Sequence, residues 1–165
     1  MNILSIDAST KSTGIALFED TKLIKYDCLT ASSTDLIKRI QKIIFLLNKF
    51  LQENKVDKII LEEVFPEEKK QNLKTHKALM WLQAAINFLL HENYSHIEIE
   101  YVYPSEWRAA CGIKNGRGVL RESAKELDIK FIKNTYGFSV NDDIADAIGI
   151  GHAYVNKLSN EINWE

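Results

Sequence analysis

The chain is poor in the residues that punctuate or staple a fold. It has two cysteines, two prolines and seven glycines in 165 residues. So little Pro and Gly excludes collagen-like repeats and long disordered linkers. Cys28 and Cys111 stand far apart and form no metal-type spacing, so free thiols in a reducing cytoplasm are the expectation. No apolar run approaches the roughly 18 residues of a membrane span. Met1-Asn2-Ile3-Leu4-Ser5-Ile6-Asp7 has no basic region ahead of its apolar run and carries an acid, which does not fit a signal peptide. Charge of one sign is lacking too: 21 basic against 23 acidic residues, a net −2, does not mark the whole chain as a polyanion binder. Neither a Gly-x-Ser-x-Gly nor a phosphate-binding Walker loop is present. His76, His91, His96 and His152 are scattered, so no zinc site is expected.

What is present suits one domain over residues 1–165. A chain of this length, 45% apolar, buries enough surface to fold without staples and is too short for two-domain architectures of about 300 residues or more. Residues 2–8, 13–18 and 22–29 read as three strands joined by the short polar connections 9–12 and 19–21, a hairpin meander. The period then changes. Leu36, Ile37, Ile40, Ile43, Ile44, Leu47, Phe50 and Leu51 recur at helical spacing, with Ser33 or Thr34 as cap and Asp35 near the positive end of the dipole. Lys58 to Val64 reads as a buried strand, about Leu73 to His91 as a helix, and residues 97–103 as an alternating, half-exposed strand. Ser105 can cap a short helix through Ala110, and helices near Val119–Leu127 and from about Asn141 to Leu158 complete the chain. A meander followed by strand–helix alternation predicts an α/β fold. Its five-stranded mixed sheet has three antiparallel strands, then parallel additions, with helices on both faces.

The charges are segregated. Lys69, Lys70, Lys74, His76 and Lys77 share one acid-free stretch, and Arg108, Lys114, Arg117 and Arg121 share another. Two solvated faces would explain them. A phosphate-binding surface would too, and Gly112-Ile113-Lys114-Asn115-Gly116-Arg117-Gly118 suits a basic loop approaching a backbone. The acids are the sharper signal. Asp7 ends an apolar strand, where an unpaired carboxylate is costly. Glu62 follows Ile59-Ile60-Leu61 directly. Asp142, Asp143 and Asp146 open the last helix, and Asp143 and Asp146, three apart, share a face. One acid would satisfy a helix dipole. Several acids at the ends of buried elements point to convergence. Such oxygen donors suit Mg²⁺ or Mn²⁺, and two ions in a carboxylate cluster clamp the attacking and leaving oxygens of a phosphodiester displacement.

These residues resemble the RuvC-type Holliday-junction resolvases of the ribonuclease H-like superfamily. Ile6-Asp7-Ala8-Ser9 with Thr13-Gly14 is similar to their first motif, and Ile60-Leu61-Glu62-Glu63-Val64-Phe65 to their second. Asp143-Ile144-Ala145-Asp146-Ala147-Ile148-Gly149-Ile150-Gly151 resembles the closing acidic helix. The motifs stand in family order across nearly the whole chain, and the shortness and basic Gly-rich segment look most like the phage-encoded branch. The resemblance implies that Asp7, Glu62, Asp143 and Asp146 are the catalytic, metal-holding carboxylates. It implies that Phe65 is the aromatic wedge at the branch point, and that Arg108, Lys114, Arg117 and Arg121 contact DNA. It also implies a homodimer acting on two strands, for which the helix around Leu79–Leu89, with Trp81 at its centre, is the candidate interface. The family has Pro-Gly after the first Asp where this chain has Ala8-Ser9. Glu63 adjoins Glu62 and leaves the register open by one; Glu62 keeps the spacing to Val64-Phe65.

The expected activity is Mg²⁺-dependent (or Mn²⁺-dependent), structure-selective cleavage of branched DNA, four-way junctions first and forks and flaps as well. The cytoplasm is the expected place, that of the host if the chain is phage-encoded. Other readings are a related nuclease acting on flaps or RNA/DNA hybrids, a non-catalytic branched-DNA module, and an actin- or sugar-kinase-like ATPase. The chain is short for the two lobes of such an ATPase, and all four matched carboxylates are present.

Overall fold

The structure is a computed structural model that describes residues 1–64, 73–114 and 118–162, excepting the side chains of Arg121 and of residues 158–162. Strands β1 (Asn2–Asp7), β2 (Ser12–Glu19) and β3 (Lys22–Thr30) form the meander. Helix α1 (Leu36–Glu53) leads to β4 (Lys58–Glu62), and α2 (Leu73–Asn93) leads to β5 (Glu98–Val102). Helices α3 (Pro104–Ala110), α4 (Arg121–Tyr136) and α5 (Asp142–Ile162) follow. The five strands lie in the order β3-β2-β1-β4-β5. β1 pairs antiparallel with β2 and parallel with β4, and β4 pairs parallel with β5. This is the expected mixed sheet.

Strand alternation sorts the two faces. Leu4, Ile6, Ile15, Leu17, Ile59 and Leu61 pack with α1 and α2 in one core. Ile3, Ala16, Phe18 and Ile60 pack with α3, α4 and α5 in the other. Ser5 belongs to this second face: its hydroxyl donates to the carbonyls of Ala147, at 2.6 Å, and Ala16, at 3.1 Å. That satisfies a buried hydroxyl and pins α5 across the central strands.

Several boundaries differ from those expected, each for a local reason. The cap of α1 is Asp35, not Ser33 or Thr34; its carboxylate accepts from the Ile37 N–H at 2.8 Å and the Lys38 N–H at 3.2 Å. A carboxylate serves the orphan donors and the dipole at once. Helix α3 starts at Pro104, with Tyr103 as N-cap rather than Ser105, and the Glu106 carboxylate accepts from the Tyr103 N–H at 2.9 Å. Proline's fixed φ suits that first position. Helix α4 runs on to Tyr136, well past Leu127, because Ile132 packs into the second core. It ends on Gly137 at φ 82°, the left-handed stop that glycine supplies. Cys28 and Cys111 are free thiols. No helix of the described residues is long and apolar enough to cross a membrane.

Candidate active site

The chain crosses from sheet to helix at one end of the molecule, and the acids gather there. Asp7 ends β1 and Glu62 ends β4. The parallel register Ile6↔Leu61 makes these two carboxylates neighbours across adjacent strand ends. Asp7 shares the phase of Ile3 and Ser5, and Glu62 shares that of Ile60, so both face α5. Glu63 falls on the opposite phase. Its Oε1 accepts from the Val64 N–H at 3.0 Å, outside the cluster. The start of α5, with Asp143 in its first turn and Asp146 three residues on, brings both acids over the same cleft, and it can come this close because Gly14, paired with Asp7, has no side chain there.

Three of the four acids are held by protein donors. The Trp107 indole N–H donates to Glu62 Oε2 at 2.7 Å. The Ser12 hydroxyl donates to Asp143 Oδ2 at 2.5 Å. Arg108 Nη2 stands 3.6 Å from Asp146 Oδ2. The same guanidinium grips Asp128 through Nε at 3.1 Å and Nη2 at 2.8 Å. Asp128 is only 1% exposed, so this buried carboxylate finds its partner in that grip. Asp142, beside the cluster, pairs with Lys125.

The electrostatics are those of an anionic cluster short of counter-charge. Asp7 is pushed well above the usual carboxylate range, first by loss of water and then by Glu62 and Asp143; Arg108 and Lys125 pull the other way. Burial also raises Glu62, against the Trp107 hydrogen bond. Asp146 is pushed up to about 9, by burial first, then by Asp7 and Asp128. Its Oδ1 is buried and finds no hydrogen-bond partner among the described residues. Among those residues no three His, Cys, Asp or Glu side chains stand close enough to cage a metal. Glu62, Asp143 and Asp146 are each turned to a protein partner, Trp107, Ser12 and Arg108 respectively. An all-carboxylate set with mutual repulsion and an orphaned buried oxygen fits a hard divalent cation.

The crossover junction endodeoxyribonuclease RuvC profile matches residues 3–153. The chain belongs to this family. It is thereby a structure-selective junction endonuclease of a metal-dependent class. Solved structures with the same fold include Thermus thermophilus RuvC in complex with a Holliday junction substrate, at 15% identity and TM-score 0.75, covering 97% of this chain and 96% of that one. Fowlpox virus resolvase in complex with Holliday junction DNA follows at 22% identity and TM-score 0.58, covering 96% and 99%. The yeast mitochondrial Holliday junction resolvase stands at 17% and 0.59, covering 98% and 82%. A search of the curated proteins gives no match.

The basic residues expected to contact DNA divide. Lys74 and Lys77 lie exposed on α2, with Lys77 Nζ 4.5 Å from the Trp81 ring, and Lys114 is exposed beyond α3. Arg108 is different. Its side chain is 16% exposed and points inward onto Asp128 and Asp146, not outward as a free phosphate contact. Phe65, Lys69, Lys70 and Arg117 lie outside the described residues, as does the Arg121 side chain. Sequence reasoning missed Trp107, Ser12 and Asp128 in this RuvC-family chain. Asp128 had a visible signal, an acid flanked by Leu127 and Ile129 and followed by Ile132 in an apolar helix stripe. Trp107 and Ser12 had none.

Proposed function

We propose that this chain resolves four-way DNA junctions by phosphodiester hydrolysis, with Asp7, Glu62, Asp143 and Asp146 as the catalytic carboxylates. The cofactor in this reading is a pair of Mg²⁺ ions, for which Mn²⁺ can substitute. One observation carries it: Asp7 and Glu62 sit on neighbouring parallel strand ends, facing the helix start that bears Asp143 and Asp146. Asp146 Oδ1 is buried with no hydrogen-bond partner among the described residues, and Glu62 and Asp143 each keep one oxygen not engaged by Trp107 or Ser12. When bound, the ions activate a water and offset the charge on the leaving 3′ oxygen. Arg108, fixed by Asp128, places a cation 3.6 Å from Asp146 Oδ2.

The junction as substrate is supported by the two resolvases of this fold solved with Holliday junctions. Exposed Lys74, Lys77 and Lys114 support contacts to its phosphates. Phe65, Lys69, Lys70, Arg117 and Arg121 are proposed as further DNA contacts from sequence, Phe65 at the branch point. A homodimer would present two sites to two strands. It is supported by the exposed Met80, Trp81 and Phe88 on α2 and Phe45 on α1, an apolar surface of the kind that marks an interface.

End-labelled four-way junction, fork, flap, RNA/DNA hybrid and linear duplex, each with and without Mg²⁺, test the reading in one gel. Paired cuts in the junction only with Mg²⁺ are expected. Preferential cleavage of hybrid or linear duplex, or cleavage undiminished by chelator, would overturn it.

A further inference from the structure

The side chain that holds Glu62 is an unusual choice for a core position. Trp107 is 1% exposed and packs in the second core with Ile148 and Ile150. An indole brings one polar atom, a donor, and a buried donor must find an acceptor. Here the acceptor is Glu62 Oε2, at 2.7 Å. The ring cannot easily turn away. A Cβ on Gly149 of α5 would come within 2.5 Å of its Cζ3, so the helix backbone lies against the ring edge. The Arg108 guanidinium stands 4.4 Å from the ring, and its Nε and Nη2 are committed to buried Asp128. At the other end of Glu62, the backbone carbonyl accepts from Gln83 Nε2 of α2 at 2.9 Å. Glu62 is therefore held at its main chain by one helix and at its carboxylate by another.

We propose that Trp107 is a positioning residue: by engaging Oε2 it fixes the rotation of the Glu62 carboxylate, so that Oε1 is presented to the cation. The inference rests on the reading of Glu62 as a metal-holding residue. A phenylalanine would fill nearly the same space between Gly149 and Arg108 and lacks only the N–H. If Trp107 serves packing alone, that replacement changes stability and not the metal dependence. If it positions Glu62, partners of this kind typically contribute ten- to a hundred-fold in metal affinity.

The test is Trp107→Phe in the full chain, read by two measurements. The first is the Mg²⁺ concentration for half-maximal junction cleavage, beside a thermal melt. It should rise roughly ten-fold or more, while cleavage recovers at high Mg²⁺. The second needs no variant at 107 and no DNA. The chain has three tryptophans, and the indole ¹⁵N–¹H signal present in both Trp81→Phe and Trp164→Phe is that of Trp107. In the wild-type chain this signal should shift on titration with MgCl₂, and Glu62→Gln should abolish the response. An unchanged half-maximal Mg²⁺ concentration, or an indole signal indifferent to Mg²⁺, overturns the proposal. Should Trp107→Phe fail to fold, the indole titration decides alone. Failure of the underlying reading looks different: wild-type chain that cuts no junction at any Mg²⁺ concentration, or Asp7→Asn that cuts normally.

Discussion

Gly14 and Asp143 meet backbone to backbone: a Cβ on Gly14 would stand 1.9 Å from the Asp143 carbonyl oxygen and 2.5 Å from its carbonyl carbon. Gly14 is also the cross-strand partner of Asp7. The first turn of α5 thus rests on the sheet beside the strand-end carboxylate, and the separation of the two acid pairs is set by the missing side chain.

Gly14→Ala should therefore damage cleavage more than folding. The neighbour is main chain and cannot swing aside, so the helix start must lift. Overpacking of this sort costs about 1–3 kcal/mol, or a melting point lower by about 3 °C per kcal/mol at this size. A displacement near 1 Å at a reacting site can cost roughly a hundred-fold in rate. Single-turnover junction cleavage at a temperature where the variant is fully folded checks this. A wild-type rate would show that the approach of α5 does not set the site.

Asp7→Asn, Glu62→Gln and Asp146→Asn should each abolish junction cleavage and leave junction binding intact or tighter. Each removes a proposed cation ligand and also reduces repulsion toward phosphates. Glu63→Gln is the internal control. Its side chain is turned to the Val64 N–H, so it should retain cleavage within a few-fold. A dead Glu63→Gln beside an active Glu62→Gln would reverse the assignment.

These four acids were legible in the sequence because an acid closing an apolar strand, or sharing a helix face with another at the helix start, has no ordinary solvated place. The choice between Glu62 and Glu63 was not, since Ile59-Ile60-Leu61 is apolar at every position; only pairing with β1 reveals which phase faces α5. Arg108 reads as a surface cation until α4 brings Asp128 to it across 20 residues. Nothing in spacing predicts such a pairing, because it depends on how two helices cross. Trp107, between Glu106 and Arg108, gives no signal for the same reason: its N–H matters only once Glu62 is opposite.

The apolar face of α2 should govern association. Phe88 is 71% exposed and shares a helix face with Met80, Trp81 and Lys77. Phe88→Glu should lower the sedimentation mass by half at concentrations where the wild-type chain is dimeric, with little change in melting point. A wild-type mass for both Phe88→Glu and Trp81→Glu would place any dimer contact elsewhere.

Lys114→Ala should weaken junction binding and lower the slope of log affinity against log salt by roughly one unit, the effect of one lost phosphate contact. Lys77→Ala should do the same if α2 lines the DNA path. An unchanged slope in titrations from 50 to 200 mM salt would make either lysine a merely solvated charge.

The pH dependence of stability should expose the crowded acids directly. An unfolded Asp titrates near 3.9 and an unfolded Glu near 4.3. In the folded chain Asp146 is pushed up to about 9, Asp7 is raised well above its usual range, and Glu62 is raised. Between those limits the native state holds protons that the unfolded state has released, so stability falls as pH rises. For Asp146 the penalty is absent below about pH 4 and complete above about pH 9. Other groups add their own shares. Asp142 is lowered by its Lys125 bond and His152 by burial, and both lose stability toward acid. The raised Met1 amino group acts from about pH 7 upward, and the raised Cys111 thiol and Tyr136 hydroxyl act at higher pH. From pH 7 to 8 the cleft carboxylates contribute up to about 1.4 kcal/mol per pH unit for each that stays protonated, and the Met1 amino group adds a share of the same sign that Asp146→Asn leaves in place. Metal-free chain should melt at lower temperature at pH 8 than at pH 7, and Asp146→Asn should flatten the decline. Mg²⁺ should raise the melting point more at pH 8, because a cation takes the place of the retained protons. A wild-type melting point level across this range, or an equal slope in Asp146→Asn, would mean that the cleft carboxylates are ionised and already matched by charge.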